Sequence, residues 1–159
     1  MEVKIKKLDE KVIIPQYKRK GDAGMDLIAT WKDESNPMYI MYGTGISMEI
    51  PTGYAGLVFP RSSLSNYDLI QADSVAVIDS GYRGEIWMRY KRTRHAPVRS
   101  YNVGDAIGQM IIIPYPEIEF IEAELGESER GDQGDGSTDY MNPEIPEENQ
   151  EKSETYETN

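Results

Sequence analysis

A run of β-forming residues, Ala76-Val77-Ile78, ends in Asp79; a Ser80-Gly81 turn follows, and Tyr82 opens a second run toward Ile86. Two such runs joined by a short glycine-containing loop read as a β-hairpin. A carboxylate rooted where a hairpin begins is held rigidly enough to orient a water or take its proton. In an isolated hairpin the same aspartate would merely favour the turn. Arg61-Ser62-Ser63 stand between a strand that stops at Pro60 and an expected helix start. Main-chain N–H groups and the helix dipole there favour an anion, and arginine adds charge-assisted hydrogen bonds; N-capping alone would use the same serines. Farther on, Arg130-Gly131-Asp132-Gln133-Gly134-Asp135-Gly136-Ser137-Thr138 joins glycines that let backbone approach a phosphate to hydroxyls that donate to it. That composition also suits a flexible linker.

Composition removes other chemistries. There are no cysteines, so disulfides, a thiolate nucleophile and a cysteine-ligated zinc are excluded. His95 is the single histidine, which rules out a multi-histidine metal site. Carboxylates, hydroxyls and arginines remain, with an oxygen-bound Mg2+ carried in by a phosphate substrate. No apolar run is long enough to span a bilayer and the N-terminus has no signal-peptide pattern, so the expectation is a soluble, cytoplasmic protein without a membrane partner. The net charge of −11 is unevenly placed. Residues 1–116 carry 15 Lys+Arg against 13 Asp+Glu, whereas residues 117–159 carry 2 against 15. The body is nearly neutral and the acidity belongs to the C-terminal segment.

The elements that must position these residues are short. Val3 to Lys6 and Ile46 to Ile50 alternate apolar and polar, as strands do. Tyr54 to Phe59 continues after the turn cluster Pro51-Thr52-Gly53, Val75 to Ile78 and Ile86 to Tyr90 flank the hairpin, and Ile107 to Ile113 is nearly all apolar. Ile118 to Ile121 reads as a weaker strand, and Ser62 to Leu69 as one short helix with Ser62 or Ser63 as N-cap. Many short strands with regular turns predict an all-β sandwich or barrel over residues 1–125. Residues 126–139, crowded with Gly, Ser and Asp, are expected to be a mobile Gly-rich arm. Residues 140–159, rich in glutamate with Pro143 and Pro146, have too little to bury and are expected to be an acidic disordered tail.

Five segments in this order, Ala23-Gly24-Met25-Asp26-Leu27, Pro60 to Ser65, Ala76 to Ile86, Gly104 to Ile111 and Arg130 to Thr138, resemble the motifs of the trimeric dUTPases, which hydrolyse dUTP to dUMP and pyrophosphate. The resemblance implies a jelly-roll-like β-barrel and a homotrimer in which the C-terminal arm closes a neighbour's site. It implies Asp79 as general base for a water attacking the α-phosphorus. Tyr82 would lie against the deoxyribose, and the hairpin backbone around Ala76 and Ile78 would read uracil. Arg61, Ser62, Ser63 and Gln109 would hold the phosphate chain. Arg130, Gly134, Gly136, Ser137 and Thr138 would close over the γ-phosphate, and Asp26 would stand near the waters of a Mg2+. Three departures accompany it: Ala76 replaces a usual glycine, Ala106 a usual arginine, and Asp135 the aromatic that stacks over uracil.

Two other readings use the same residues. A dCTP deaminase shares the fold but needs a glutamate where Arg89 stands, and arginine cannot shuttle a proton. A dUTPase-like regulator that binds nucleotide or protein with weak turnover would suit Asp135 and the acidic tail. The basic run Lys91-Arg92-Thr93-Arg94-His95 with Arg99 reads as a solvated loop more than a nucleic-acid surface, so no nucleic-acid partner is expected.

Overall fold

Alternation decides where each strand goes. In β4 (Tyr39–Gly43) Ile40 and Tyr42 are buried while Tyr39 and Met41 are less so, and in β9 (Trp87–Arg92) Met88 and Tyr90 are buried between more exposed neighbours. The computed structural model describes residues 1–132. Its strands are β1 (Lys4–Lys7), β2 (Met25–Ile28), β3 (Trp31–Asp33), β4, β5 (Ile46–Glu49), β6 (Tyr54–Phe59), β7 (Leu69–Gln71), β8 (Ala76–Ile78), β9 and β10 (Ala106–Pro114). They form two four-stranded sheets, ordered β2-β10-β6-β8 and β3-β4-β9-β7, and a β1-β5 pair, all antiparallel. The result is the nearly all-β barrel expected.

The inward residues of both sheets share one core. Leu27, Val58 and Met110 come from the first sheet, and Ile40, Tyr42, Leu69, Met88 and Tyr90 from the second. Tyr42, Tyr90 and Tyr101 meet edge-on, with centroids 5.6–6.0 Å apart, a favoured aromatic geometry. Two of the hydroxyls are used: Tyr42 Oη donates to Tyr101 O at 3.2 Å, and Tyr90 Oη to Ile107 O. Gln71 Nε2, buried on β7, donates to Val58 O at 3.1 Å and so ties the second sheet to the first. The sheets approach closely where Gly108 faces Met88; a Cβ there would lie 2.4 Å from the sulfur, and β10 shifts register between Ala106 and Gly108.

Three local expectations change. The short helix is a five-residue 3-10 turn, Ser62–Asn66, whose cap position is Arg61 and makes no side-chain cap bond. Leu69 and Gln71 must enter the sheet as buried residues of β7, and Asp68 N is already held by Arg99 O, which leaves too few residues for an α-helix. The Ala76–Ile86 segment has the expected turn, with Tyr82 N donating to Asp79 O at 3.0 Å, but its two arms do not pair. β8 joins β6 in the first sheet, whereas β9 begins at Trp87 and joins β4 in the second, so Tyr82 does not open a strand. Burial of Ile86, Met88 and Tyr90 draws the second arm onto β4 instead of onto β8. Finally, Ile118 to Ile121 forms no strand, and Ile118, Phe120 and Ile121 are 73%, 92% and 81% exposed.

The chain divides into two units after Ile118. Of the second, residues 119–132 are described; they are without strands and include a turn in which Gly131 N donates to Ser128 O at 3.1 Å. Gly134, Asp135, Gly136, Ser137, Thr138 and residues 140–159 lie outside the described residues. Among those described, no helix is long and apolar enough to cross a membrane.

Candidate active site

The pairing of β2 with β10 sets Asp26 directly opposite Gln109, and Gln109 in turn lies opposite Phe59 at the end of β6. Pro60 stops that strand and delivers Arg61 beside Asp26. Arg61 Nε donates to Asp26 Oδ1 at 2.8 Å, and the ammonium of Lys18 reaches Oδ2. Arg61 Nη1 also lies 3.3 Å from Ser63 Oγ. Gln109 is held by a bond from Nε2 to Pro60 O at 3.1 Å, while its Oε1 passes so close to Gly24 that a Cβ there would sit 2.6 Å away. These groups line a cleft of about 360 Å³ with Asp22 and Ser62. Behind Ser63, Tyr101 anchors the turn: its ring lies 4.1 Å from that of Tyr67, and burial pushes its phenol pKa upward, with Ser63 and the charge of Arg61 pulling the other way.

Asp79 belongs to a second cleft, of about 240 Å³, lined by Asp73, Ala76, Val77, Ile78, Asp79, Tyr82, Glu85, Ile86 and Trp87. β8 is the edge strand of its sheet, so one row of its main-chain groups has no neighbouring strand. The opposite wall is built by alternation. Ile86 N donates to Ile46 O, and Thr44 N donates to Ile86 O, which turns Ile86 toward β4 and β5. Arg89 O accepts from Ala72 N on the other side of β9. Trp87, two residues before Arg89, therefore points its amide to that same side, beyond the end of β7. Edge backbone from both sheets thus lines the slot together with the side chains of Asp73, Tyr82 and Glu85, and Asp79 stands at the end of β8. Tyr82, 40% exposed, folds back over Gly84 and donates from Oη to Glu85 O at 2.9 Å. A Cβ at Gly84 would lie 2.3 Å from that hydroxyl.

The structure therefore gathers the expected residues into two groups. Asp26, Arg61, Ser62 and Gln109 share one cleft, with Ser63 bonded to Arg61; Ala76, Ile78, Asp79 and Tyr82 share the other. The clefts have no lining residue in common. Ile78 pairs with Gly56 and Gln109 with Phe59, so Asp79 continues beside Ala55 and lies four residues along β6 from Gln109. At ~3.3 Å per residue that is about 13 Å along the strands, plus two strand spacings across, from β10 over β6 to β8.

Sequence reasoning missed Lys18, whose pairing with Asp26 bridges eight residues with no periodicity to announce it. It also missed the Trp87 amide, which becomes visible only once the two arms are known to enter different sheets. Among the described residues no group of three His, Cys, Asp or Glu side chains could hold a metal. Asp26 has a cation on each oxygen, and Lys18 and Arg61 balance Asp26 and Asp22, so the cleft is nearly neutral. This donor set suits a Mg2+ that arrives with phosphate oxygens and keeps its waters, which is how that ion usually binds.

Residues 10–139 match the dUTPase family. The chain is 36% identical over 139 residues to the deoxyuridine 5'-triphosphate nucleotidohydrolase of Thermobifida fusca, covering 86% of this chain and 78% of that protein. A solved dUTPase of phage 80alpha superposes with a TM-score of 0.73 at 25% identity, over 86% of this chain and 98% of that one. A dUTPase of phage phi11 of S. aureus, whose structure describes coordination of a structural Mg(II) ion, gives 0.68 at 25% identity, over 80% and 100%.

Proposed function

This chain belongs to the dUTPase family and hydrolyses dUTP to dUMP and pyrophosphate, and we propose that Asp79 is its general base. Asp79 takes a proton from the water whose oxygen attacks the α-phosphorus. The bond from that phosphorus to the oxygen bridging the α- and β-phosphates breaks, and pyrophosphate leaves with the bridging oxygen. The observation that carries this reading is the slot from Ala76 to Trp87, edged by main-chain groups with a carboxylate at the end of β8. Such a wall suits a flat imide such as uracil, because N–H and C=O groups on facing edges complement its alternating acceptors and donor. The backbone of Ala76 and Ile78 reads the base from one side and the Trp87 amide from the other, while the Tyr82 ring packs against the deoxyribose and leaves no room for a 2′-hydroxyl.

Arg61, Ser62, Ser63 and Gln109 hold the phosphate chain. With Asp26 neutralising part of Arg61's charge and fixing its plane, the remaining guanidinium N–H groups are oriented to donate to phosphate oxygens. Asp26 would hold, through waters, a Mg2+ that comes with the substrate, and the ion would supply positive charge to offset phosphate charge that the nearly neutral cleft does not. Arg130, Gly134, Gly136, Ser137 and Thr138 close over the γ-phosphate as an arm.

A separation of about 13 Å along β6 keeps one copy's Asp79 from serving a phosphate held by the same copy's Gln109. A homotrimer with sites between subunits, the Asp79 cleft from one copy and the Arg61 cleft from another, removes that obstacle. The apolar run Ile118, Phe120, Ile121 and Leu125, the last 95% exposed, supports a second copy as its cover. Deamination is disfavoured because the Arg89 guanidinium, where that reaction needs a carboxylate, is stacked 4.9 Å from the Tyr39 ring and 5.3 Å from the Trp87 ring.

The test is pyrophosphate release with Mg2+ from dUTP, dCTP, dTTP and UTP in parallel. Strong preference for dUTP is expected. Equal turnover of dCTP, or ammonia release from it, overturns the reading.

A further inference from the structure

Glu85 is a half-buried carboxylate that the proposed chemistry does not use, yet it sits at the junction between the two arms of the Asp79 loop. Its Oε1 accepts from Trp31 Nε1 at 2.9 Å and from Gly45 N at 2.8 Å. Both donors depend on local backbone. Gly43 makes room for the indole, since a Cβ there would lie 1.9 Å from Trp31 Nε1 and 2.5 Å from Glu85 Oε1. Gly45 takes φ +67°, which aims its N–H at the carboxylate in a conformation L side chains rarely adopt. The next residue is clamped as well: Thr44 Oγ1 donates to Ile86 O at 2.6 Å, and Ile86 N donates to Ile46 O at 2.9 Å. Through its main chain, Glu85 faces the other way, because its carbonyl accepts the Tyr82 hydroxyl at 2.9 Å. One residue therefore joins the β3–β5 region, through its carboxylate, to the Tyr82 ring, through its carbonyl.

We propose that Glu85 is a positioning residue for sugar discrimination: its carboxylate, locked by Trp31 and Gly45, fixes the carbonyl that orients the Tyr82 ring. This rests on the reading of Tyr82 as the residue that excludes a 2′-hydroxyl. Within the turn itself, Arg83 Nη1 donates to Ser80 O and Tyr82 O. Without the lock, Glu85 O has nothing beyond the backbone clamp at Ile86 to hold its direction, and the Tyr82 ring swings away from the space a ribose hydroxyl would enter.

The experiment measures kcat/KM for dUTP and for UTP, with Mg2+, in the full chain and in Glu85→Ala, Glu85→Gln, Trp31→Phe, Tyr82→Phe and Tyr82→Ala, alongside Tm. Glu85→Ala is expected to narrow the dUTP-over-UTP ratio roughly three- to tenfold, the scale of one lost hydrogen bond. Tyr82→Phe removes the hydroxyl that the carbonyl holds and is expected to narrow it comparably without touching the lock. Trp31→Phe should narrow it less, because Gly45 still holds the carboxylate. Glu85→Gln keeps an acceptor oxygen for both donors and should restore the ratio to within about twofold of the parent. A merely structural role would lower Tm and leave the ratio alone. If Glu85→Ala does not fold, Trp31→Phe and Tyr82→Phe decide. Tyr82→Ala narrowing the ratio while Tyr82→Phe, Glu85→Ala and Trp31→Phe leave it unchanged overturns the proposal and spares the reading of Tyr82. An unchanged ratio in Tyr82→Ala overturns both.

Discussion

The Asp26 cleft holds its charged groups against one another, with Arg61 and Lys18 on a single carboxylate, whereas the Asp79 cleft sets Asp73, Asp79 and Glu85 among main chain and apolar side chains, with no Lys or Arg in its lining. The first arrangement sets direction: a guanidinium pinned at Nε by one partner offers its remaining donors in a fixed plane. The second sets shape, since a slot between two sheet edges accepts a flat ring of one pattern and has few side chains to adapt to another. A triphosphate needs oriented charge that tolerates sliding metal and water. A base needs a wall that does not move. On the proposed reading, base recognition and phosphate binding are built from different parts of the chain, backbone in one cleft and side chains in the other, so substitutions should separate them.

Asp79→Asn gives the largest separation. It keeps the shape of the slot but cannot take a proton, so kcat should fall ~10²–10⁴-fold with dUTP binding retained, measured by steady-state kinetics beside titration with a non-hydrolysable dUTP analogue. Near-parental turnover would move the base elsewhere. Arg61→Ala strikes the other cleft: it loses charge-assisted bonds to phosphate and leaves Asp26 with Lys18 alone, so kcat/KM should fall roughly 10- to 100-fold. If base discrimination changes as well, the division between clefts is wrong.

Mixing these two variants sharpens the comparison. If each site takes one cleft from one copy and one from the next, subunits exchanged at equal ratio should regain about a quarter of parental activity, because a quarter of junctions pair two intact clefts. No recovery after confirmed exchange would place both clefts' work within one copy. Tyr82→Ala should leave dCTP rejection intact and narrow the dUTP-over-UTP ratio by about tenfold, while KM for the phosphate chain moves little. The smallest effect is expected at the far end: truncation after Tyr140 removes acidic residues beyond the arm and should keep kcat/KM within about a few-fold, with any gain confined to low salt. Collapse of activity would make that segment part of the site.

Much of this was legible in the residues themselves. Alternation found β1 and β5, turn signals bounded β6 and β9, the apolar run from Ile107 to Ile113 found β10, and the Asp79 and Arg61 segments stood out by residue type. What was not legible depends on partners far away in sequence. Ala76 to Ile86 carries every local mark of a hairpin, yet Thr44 and Ile46 capture Ile86 and send the second arm into another sheet. Ser62 to Leu69 looks helical until Leu69 and Gln71 are needed as buried strand residues. Ile118 to Ile121 has strand composition but no strand to join within one chain. The pairing of Lys18 and Arg61 on Asp26, and of Trp31 and Gly45 on Glu85, is a property of the closed barrel and has no spacing to betray it.

The tyrosine cluster has a consequence for alkaline solution. Burial raises the pKa of Tyr42, Tyr90 and Tyr101 above the ordinary phenol value, so each is neutral in the native barrel where the unfolded chain would already be ionised. The linkage has one sign: the stability they contribute is complete below about pH 10 and drains away as pH climbs past it. These three ionise only when the barrel opens. A pH jump followed by phenolate absorbance should thus include a slow rise, and that slow phase is a built-in clock for opening of the core.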